Sequence, residues 1–123
     1  MEISKEESLD DILKGLLASI SEIQGAAIVS VEGLPIASAL PQDVDETRIA
    51  AMTAAILSLA ERAALELEKG EMEQVYIRGT KGYILVMSAG MNAVLIVITT
   101  KDIKLGLVFL DCKRACEKIV RLV

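Results

Sequence analysis

The chain has 123 residues, which fits one domain over residues 1–123 and allows a sizeable buried core. The formal net charge of -5, with the basic residues scattered, argues against nucleic-acid binding, because phosphate neutralisation needs clustered Lys and Arg. Histidine is absent, which removes the commonest general base and the commonest zinc ligand, so we expect no catalytic site, no metal and no cofactor.

The first predicted element is an amphipathic helix. Its apolar residues recur three and four positions apart and form one stripe, namely Leu9, Ile12, Leu13, Leu16, Leu17, Ile20 and Ile23. Ser4 or Ser8 is suited to cap the start of this helix, and Gly25 is expected to end it.

Two strands are predicted after this helix. Residues 26–31 form a continuous apolar run, which is typical of a strand covered on both faces. Glu32-Gly33 favours a hairpin turn, because glycine tolerates a positive φ. Residues 34–40 form the second strand, and Pro35 places that strand at a sheet edge, since proline has no backbone donor.

The longest predicted helix covers residues 46–69, with Asp43 or Asp45 as its N-cap and Gly70 after its end. Its main apolar face is predicted to carry Ile49, Met52, Ile56, Leu59, Ala60, Ala63 and Leu67. A second flank carries Ala50, Ala54, Leu57, Ala64 and Leu65. This apolar arc is wider than one sheet face requires. Small side chains let two helices approach closely, so we expect the second flank to contact another protein surface.

Three more strands are predicted next. Residues 71–78 alternate between apolar and polar side chains, which indicates a half-buried strand at an edge. A turn at 79–82 leads into apolar runs at 83–89 and 93–99. The span 83–98 approaches transmembrane length, but Gly90-Met91-Asn92 interrupts it and both halves are rich in Val and Ile, so two buried strands explain it better.

The last predicted helix is capped by Asp102. One of its faces is apolar and includes Cys112, and Cys116 lies one turn later, so we interpret both cysteines as core thiols. Short turns make neighbouring strands antiparallel. The sequence therefore predicts an α/β fold, in which helices cover both sides of a five-stranded antiparallel sheet whose second and third strands are the edges.

No arrangement of residues points to catalysis. A conventional triad needs histidine, no G-x-S-x-G turn occurs, and the turn at 79–82 leads into a strand instead of the helix that a phosphate loop requires. The remaining candidate functional feature is a surface for contact with other proteins. We predict a homodimer through the second flank of the long helix and the third strand, with interface residues Ala50, Ala54, Leu57, Ala64, Val75 and Ile77.

Several segments resemble roadblock domains. They are residues 23–30, residues 32–38 with Gly-Leu-Pro-Ile-Ala, the Ala50-Ala51-Met52 triplet, the hairpin at 79–86 and the strand at 93–97. The resemblance implies a three-layer α/β/α sandwich that dimerises through its second helix and third strand. It also implies a non-enzymatic regulator or scaffold for Ras-like small GTPases, or a dynein-associated adaptor. Prokaryotic members are mostly single domains that bind a Ras-like GTPase, and some stimulate its GTP hydrolysis.

The sequence leaves several points open. A structural self-assembly adaptor and a small-molecule sensor domain are alternatives to a GTPase regulator. Arg48, Arg62 and Arg78 are candidate partner contacts, and none is assigned as an arginine finger. Residues 1–20 lack the pattern of a signal peptide, so we expect a cytoplasmic protein. The low number of Asn and Gln residues hints at a thermophilic source.

Overall fold

The computed structural model describes the backbone from residue 5 to residue 123 and the side chains from residue 8 onward. Its elements, in chain order, are α1 (Lys5–Ser19), β1 (Ile23–Ser30), β2 (Pro35–Ala39), α2 (Glu46–Glu66), β3 (Gln74–Gly79), β4 (Gly82–Ser88), β5 (Ala93–Thr99) and α3 (Leu105–Val120). This is the predicted order of helices and strands, and the α/β fold class is confirmed.

The five strands form one antiparallel sheet in the order β2-β1-β5-β4-β3. The edges are β2 and β3, as predicted. Pro35 is the first residue of β2 at the edge of the sheet, and proline, which has no backbone N–H, is tolerated at that position. The three strands with nearly continuous apolar runs, β1, β5 and β4, lie in the middle of the sheet.

Helices cover both faces of the sheet and make three layers. Successive side chains of a strand point to opposite faces, and β5 shows the division. Leu95 and Val97 belong to the apolar cluster beneath α1 and α3, whereas Val94 and Ile96 belong to the cluster beneath α2. Because both faces are covered, the central strands need apolar residues at every position.

Cys112 and Cys116 lie in the core on the inner side of α3, as unpaired thiols. The interpretation of both as core residues is confirmed. Burial raises the pKa of each thiol to about 12, since a thiolate there would lose its hydration. These thiols are therefore packing groups without nucleophilic character.

The ends of α2 fit the prediction better than the ends of α1 and α3. Asp45 caps α2, because its carboxylate accepts the N–H groups of Thr47 and Arg48. The prediction that Asp102 caps α3 is wrong. Lys104 holds that position and makes no side-chain cap hydrogen bond.

The prediction that Gly25 ends α1 is also wrong. The helix ends at Ser19, and Gly25 lies inside β1, next to an irregularity in its pairing with β5. A Cβ at Gly25 would lie 3.1 Å from Cδ of Pro41, so this glycine allows the residues that follow β2 to approach β1 closely. Ser8 lies within α1 and does not cap it, and Ser4 falls outside the described residues.

Candidate functional site: a protein-interaction surface

Helix α2 is apolar on more than the side that touches the sheet. Ala50, Thr53 and Leu57 are buried against the sheet. Met52 and Leu59 lie on a neighbouring flank with 46% and 71% of their surfaces exposed. Ile56 lies between these two residues on the same flank and packs partly against the cluster beneath the helix. The outward flank of α2, defined by Met52, Ile56, Leu59 and Ala63, is therefore apolar and largely open to solvent.

The structure corrects the predicted assignment of the two faces of α2. Ala50 is 0% exposed and Leu57 is 5% exposed, so the side chains of both pack against the chain's own sheet instead of lying on the surface. Ala54 and Ala64 are half-buried on the same side. Dimerisation itself stays a prediction, but Ala50 and Leu57 cannot supply exposed side chains to it.

The turn between β1 and β2 explains this orientation. Gly33 has a φ of +93°, and a Cβ built on it would lie 3.2 Å from Cβ of Ala54. The small residues of α2 therefore let the helix approach its own hairpin turn. Periodicity alone could not separate the two flanks, because both are apolar.

The edge strand β3 presents unpaired backbone groups. Ser88 N–H donates to the carbonyl of Glu73 over 3.2 Å, and hydrogen-bonded positions alternate along an antiparallel ladder. Residues at odd positions therefore bond to β4, while Gln74, Tyr76 and Arg78 direct their N–H and C=O groups away from the sheet. Such a row of donors and acceptors is a template for another strand.

The side chains of β3 divide between the two faces of the sheet. Val75 and Ile77 lie opposite Val86 and Ile84, on the face that α2 covers. Val75 is half-buried and Ile77 is exposed. The two residues thus extend the apolar surface of the α2 side to the edge of the sheet.

Tyr76 lies on the opposite face, toward α3. Its ring packs edge-on against Phe109, with 6.2 Å between the ring centroids. Burial of the phenol raises the pKa of Tyr76. Tyr76 is nevertheless 41% exposed. The middle of the edge strand therefore carries a large aromatic side chain that its own chain covers incompletely.

The three candidate arginines do not form one site. Arg48 and Arg62 are both on α2, fourteen positions apart, which is about 21 Å along a helix. Arg62 donates to Glu66 over 2.9 Å, and the guanidinium of Arg78 lies 5.9 Å from the centre of the Tyr83 ring. Each arginine is exposed and belongs to a different local environment.

A shallow groove of about 660 Å³ lies beside the C-terminal half of α2. Leu65, Met72 and Met91 contribute apolar side chains to it, and Glu61 and Glu71 contribute carboxylates. In the part of the chain that the structure describes, no cluster of three or more His, Cys, Asp or Glu side chains is arranged to hold a metal ion. Between residues 5 and 123, no helix is long and apolar enough to cross a membrane.

Comparison with known proteins gives a family and a set of similar folds. The model of the Roadblock/LC7 domain family matches residues 9–99. An uncharacterized protein of Methanocaldococcus jannaschii is 42% identical over 97 residues, which cover 79% of this chain and 84% of the relative.

Two solved structures illustrate the similarity of the fold. The Roadblock/LC7 domain of Streptomyces avermitilis is 29% identical, with a TM-score of 0.71 over 90% of this chain and 97% of that one. Myxococcus xanthus MglB is 24% identical, with a TM-score of 0.89 over 100% of this chain and 96% of that one. At that identity, the similarity to MglB concerns the fold.

Proposed function

The chain belongs to the Roadblock/LC7 domain family, and from that premise we propose that it is a homodimeric, non-enzymatic module that binds a Ras-like small GTPase. The observations that carry the proposal are the apolar, exposed outward flank of α2 and the open edge of β3. Roadblock domains, which the sequence resembles, regulate or scaffold such GTPases.

The β3 edge supports self-association. Its outward backbone groups lie next to Val75 and Ile77, so a second copy would gain both main-chain hydrogen bonds and apolar burial. A symmetric dimer uses the same patch twice, which suits an edge strand that can pair with itself. Such pairing would leave no exposed edge at β3 and would bring two α2 helices to the same side of the joined sheet.

The outward flank of α2 supports binding of a further partner. Met52 and Leu59 are large apolar residues on a helix surface that the chain itself does not cover. In a dimer this apolar surface is present twice on one side of the joined sheet. A small globular GTPase could cover this surface. Contact with its nucleotide-dependent loops would make binding depend on whether GDP or GTP is bound.

Binding is tested with the GTPases themselves. The full chain is titrated by calorimetry into each Ras-like GTPase of its source genome, loaded with GDP or with a non-hydrolysable GTP analogue. We expect one GTPase to bind in at least one nucleotide state, and Leu59→Glu on α2 to weaken that binding more than Leu107→Glu on α3. Leu107 is a matched control, since it is also an exposed leucine on a helix.

The same proteins separate regulation from scaffolding. GTP turnover of the bound GTPase is measured with and without the chain by phosphate release. A higher rate would identify the chain as an activator, and an unchanged rate would identify it as a scaffold. Absence of binding to every GTPase in both nucleotide states would contradict the proposal and favour a structural adaptor.

A further inference from the structure

We propose that ionic contacts between opposite ends of β3 in two copies set the register of the dimer and make pairing selective for a chain with the same order of charges. The inference rests on the proposed dimer and concerns what specifies it. The partner is a second copy of this chain.

The edge strand joins an acidic end to a basic end. Before β3 come Glu68, Glu71 and Glu73, with Lys69 as the single cation among them. At the other end lie Arg78 and Lys81 of the β3–β4 hairpin. Arg78 and Lys101, from the loop after β5, line the same surface depression. Lys104 follows nearby in sequence, and Asp102 is the single anion of this end.

These charges are exposed, and no ion pair within 4.0 Å joins any of them to another of the side chains that the structure describes. Among the side chains that the structure describes, the ion pair within 4.0 Å joins Arg62 and Glu66. The acidic and basic ends of β3 therefore remain uncompensated in a single copy, although the chain as a whole is acidic. When two copies of such an edge strand pair in an antiparallel direction, the acidic end of each lies beside the basic end of the other, so the two edges are complementary in charge.

Symmetry fixes the direction of the pairing. If α2 is to lie on the same face of the joined sheet in both copies, the two-fold axis runs perpendicular to the sheet and the two β3 strands are antiparallel. Opposite residues in an antiparallel pair point to the same face. The two-fold axis must therefore pass midway between one residue and the same residue of the second copy, for example between the two Tyr76 residues.

Of the registers that this symmetry allows, the one centred on Tyr76 matches the side chains best. It places Val75 opposite the partner's Ile77, so the apolar residues of the α2 face meet across the edge. A shift to a centre at Val75 would set Glu73 opposite the partner's Ile77. A shift to a centre at Ile77 would set Val75 opposite the partner's Gly79.

The same register brings the charged ends together. Glu71 of one copy comes level with the partner's Lys81, and Glu73 comes level with the partner's Gly79, beside the other basic residues. The symmetry repeats this contact at the other end of the strand pair. Exposed ion pairs are individually weak and screened by salt, so their effect is to exclude other registers and other partners more than to hold the dimer.

Charge reversal tests the inference on the full chain by sedimentation at low salt. One variant carries Glu71→Lys and Glu73→Lys, which makes both ends basic. The other carries Lys81→Glu and Lys101→Glu, which makes both ends acidic. We expect each variant alone to dimerise at least tenfold more weakly than the wild type, and an equimolar mixture to recover dimerisation. The chain with all four changes should also recover it, because its ends are again opposite in charge.

A control separates position from total charge. Glu32→Lys with Glu117→Lys reverses two exposed carboxylates away from β3 and should leave the dissociation constant unchanged. In about 1 M salt, where the screening length is about 3 Å, the differences among all variants should disappear. A wild-type dimer whose variants all associate like the wild type would overturn the ionic inference and leave the dimer standing. A monomeric wild type would overturn both.

Discussion

Gly82 lies where the β3–β4 hairpin passes the end of β5. A Cβ at this position would overlap the carbonyl oxygen of Thr99, a backbone atom that cannot rotate away. We therefore expect Gly82→Ala to lower the free energy of unfolding by about 1–3 kcal/mol, as overpacking does. Gly79→Ala, at the matching position of the hairpin, should cost less, since the nearest atom to its Cβ would be the carbonyl oxygen of Gly82 at 3.4 Å, an ordinary contact distance. Denaturant unfolding at one protein concentration compares the two, and equal losses would contradict this explanation.

The buried thiols give the chain a pH dependence in the alkaline range. The pKa of Cys112 and of Cys116 is about 12 in the folded chain and near 9.0 without burial. The raised pKa contributes stability that is fully present below pH 9 and is lost as the pH rises toward 12, because the unfolded chain gives up its protons first. The free energy of unfolding should fall more steeply over this range for the wild type than for the Cys112→Ala, Cys116→Ala variant. Parallel curves would show that the thiols do not contribute.

Helix capping gives a prediction at the scale of one element. The carboxylate of Asp45 accepts the N–H of Thr47 at 3.0 Å and that of Arg48 at 3.4 Å. We expect Asp45→Ala to destabilise the chain by about 1 kcal/mol, measured as a shift of the denaturation midpoint with unchanged slope. Asp43→Ala is the matched control, because Asp43 is an exposed carboxylate in the same loop. If both substitutions had the same effect, local net charge and not the cap would be responsible.

The sequence predicts the helices and strands correctly where a local pattern, such as a continuous apolar run or a proline, is sufficient without knowledge of contacts between elements. The uninterrupted apolar runs of β1, β4 and β5 identified the strands covered on both faces, and Pro35 identified an edge. Gly25 cannot be interpreted in this way, because its role is a close approach to Pro41, which is sixteen positions later in the chain but adjacent in space. Glycine is common both after the end of a helix and where two backbone segments approach closely, so the residue type alone does not distinguish these two roles.

The outward flank of α2 shows the same limit within one helix. Hydrophobic periodicity identified two apolar flanks but could not say which of them faces the sheet. The contact of Ala54 with the β1–β2 turn at Gly33 decides that, and it joins residues from different elements. Periodicity therefore places Met52 and Leu59 on the main apolar face of the helix, although much of each side chain is exposed.

At the scale of the whole molecule, the outward flank predicts how association depends on α2. Leu59→Glu places a carboxylate in the apolar surface that a GTPase partner would cover, whereas Leu107→Glu places one on α3. We expect sedimentation to show the same dimer for the wild type and both variants, because the β3 edges join the two copies in the proposed dimer. The complex with the GTPase should be weakened at least tenfold by Leu59→Glu alone. Thermal unfolding of both variants provides the check that each is folded. A weaker dimer of Leu59→Glu would place the outward flank in the contact between the two copies.

The position of Tyr76 has an optical consequence. The chain has two tyrosines, one phenylalanine and no tryptophan, so its near-ultraviolet spectrum comes from very few rings. Tyr76 is one of them, it touches the single phenylalanine, and it lies at the centre of the open edge. Any strand that covers this edge would change the environment of a large share of the protein's chromophores. Tyrosine emission and near-ultraviolet dichroism should therefore follow association along a dilution series without any added label.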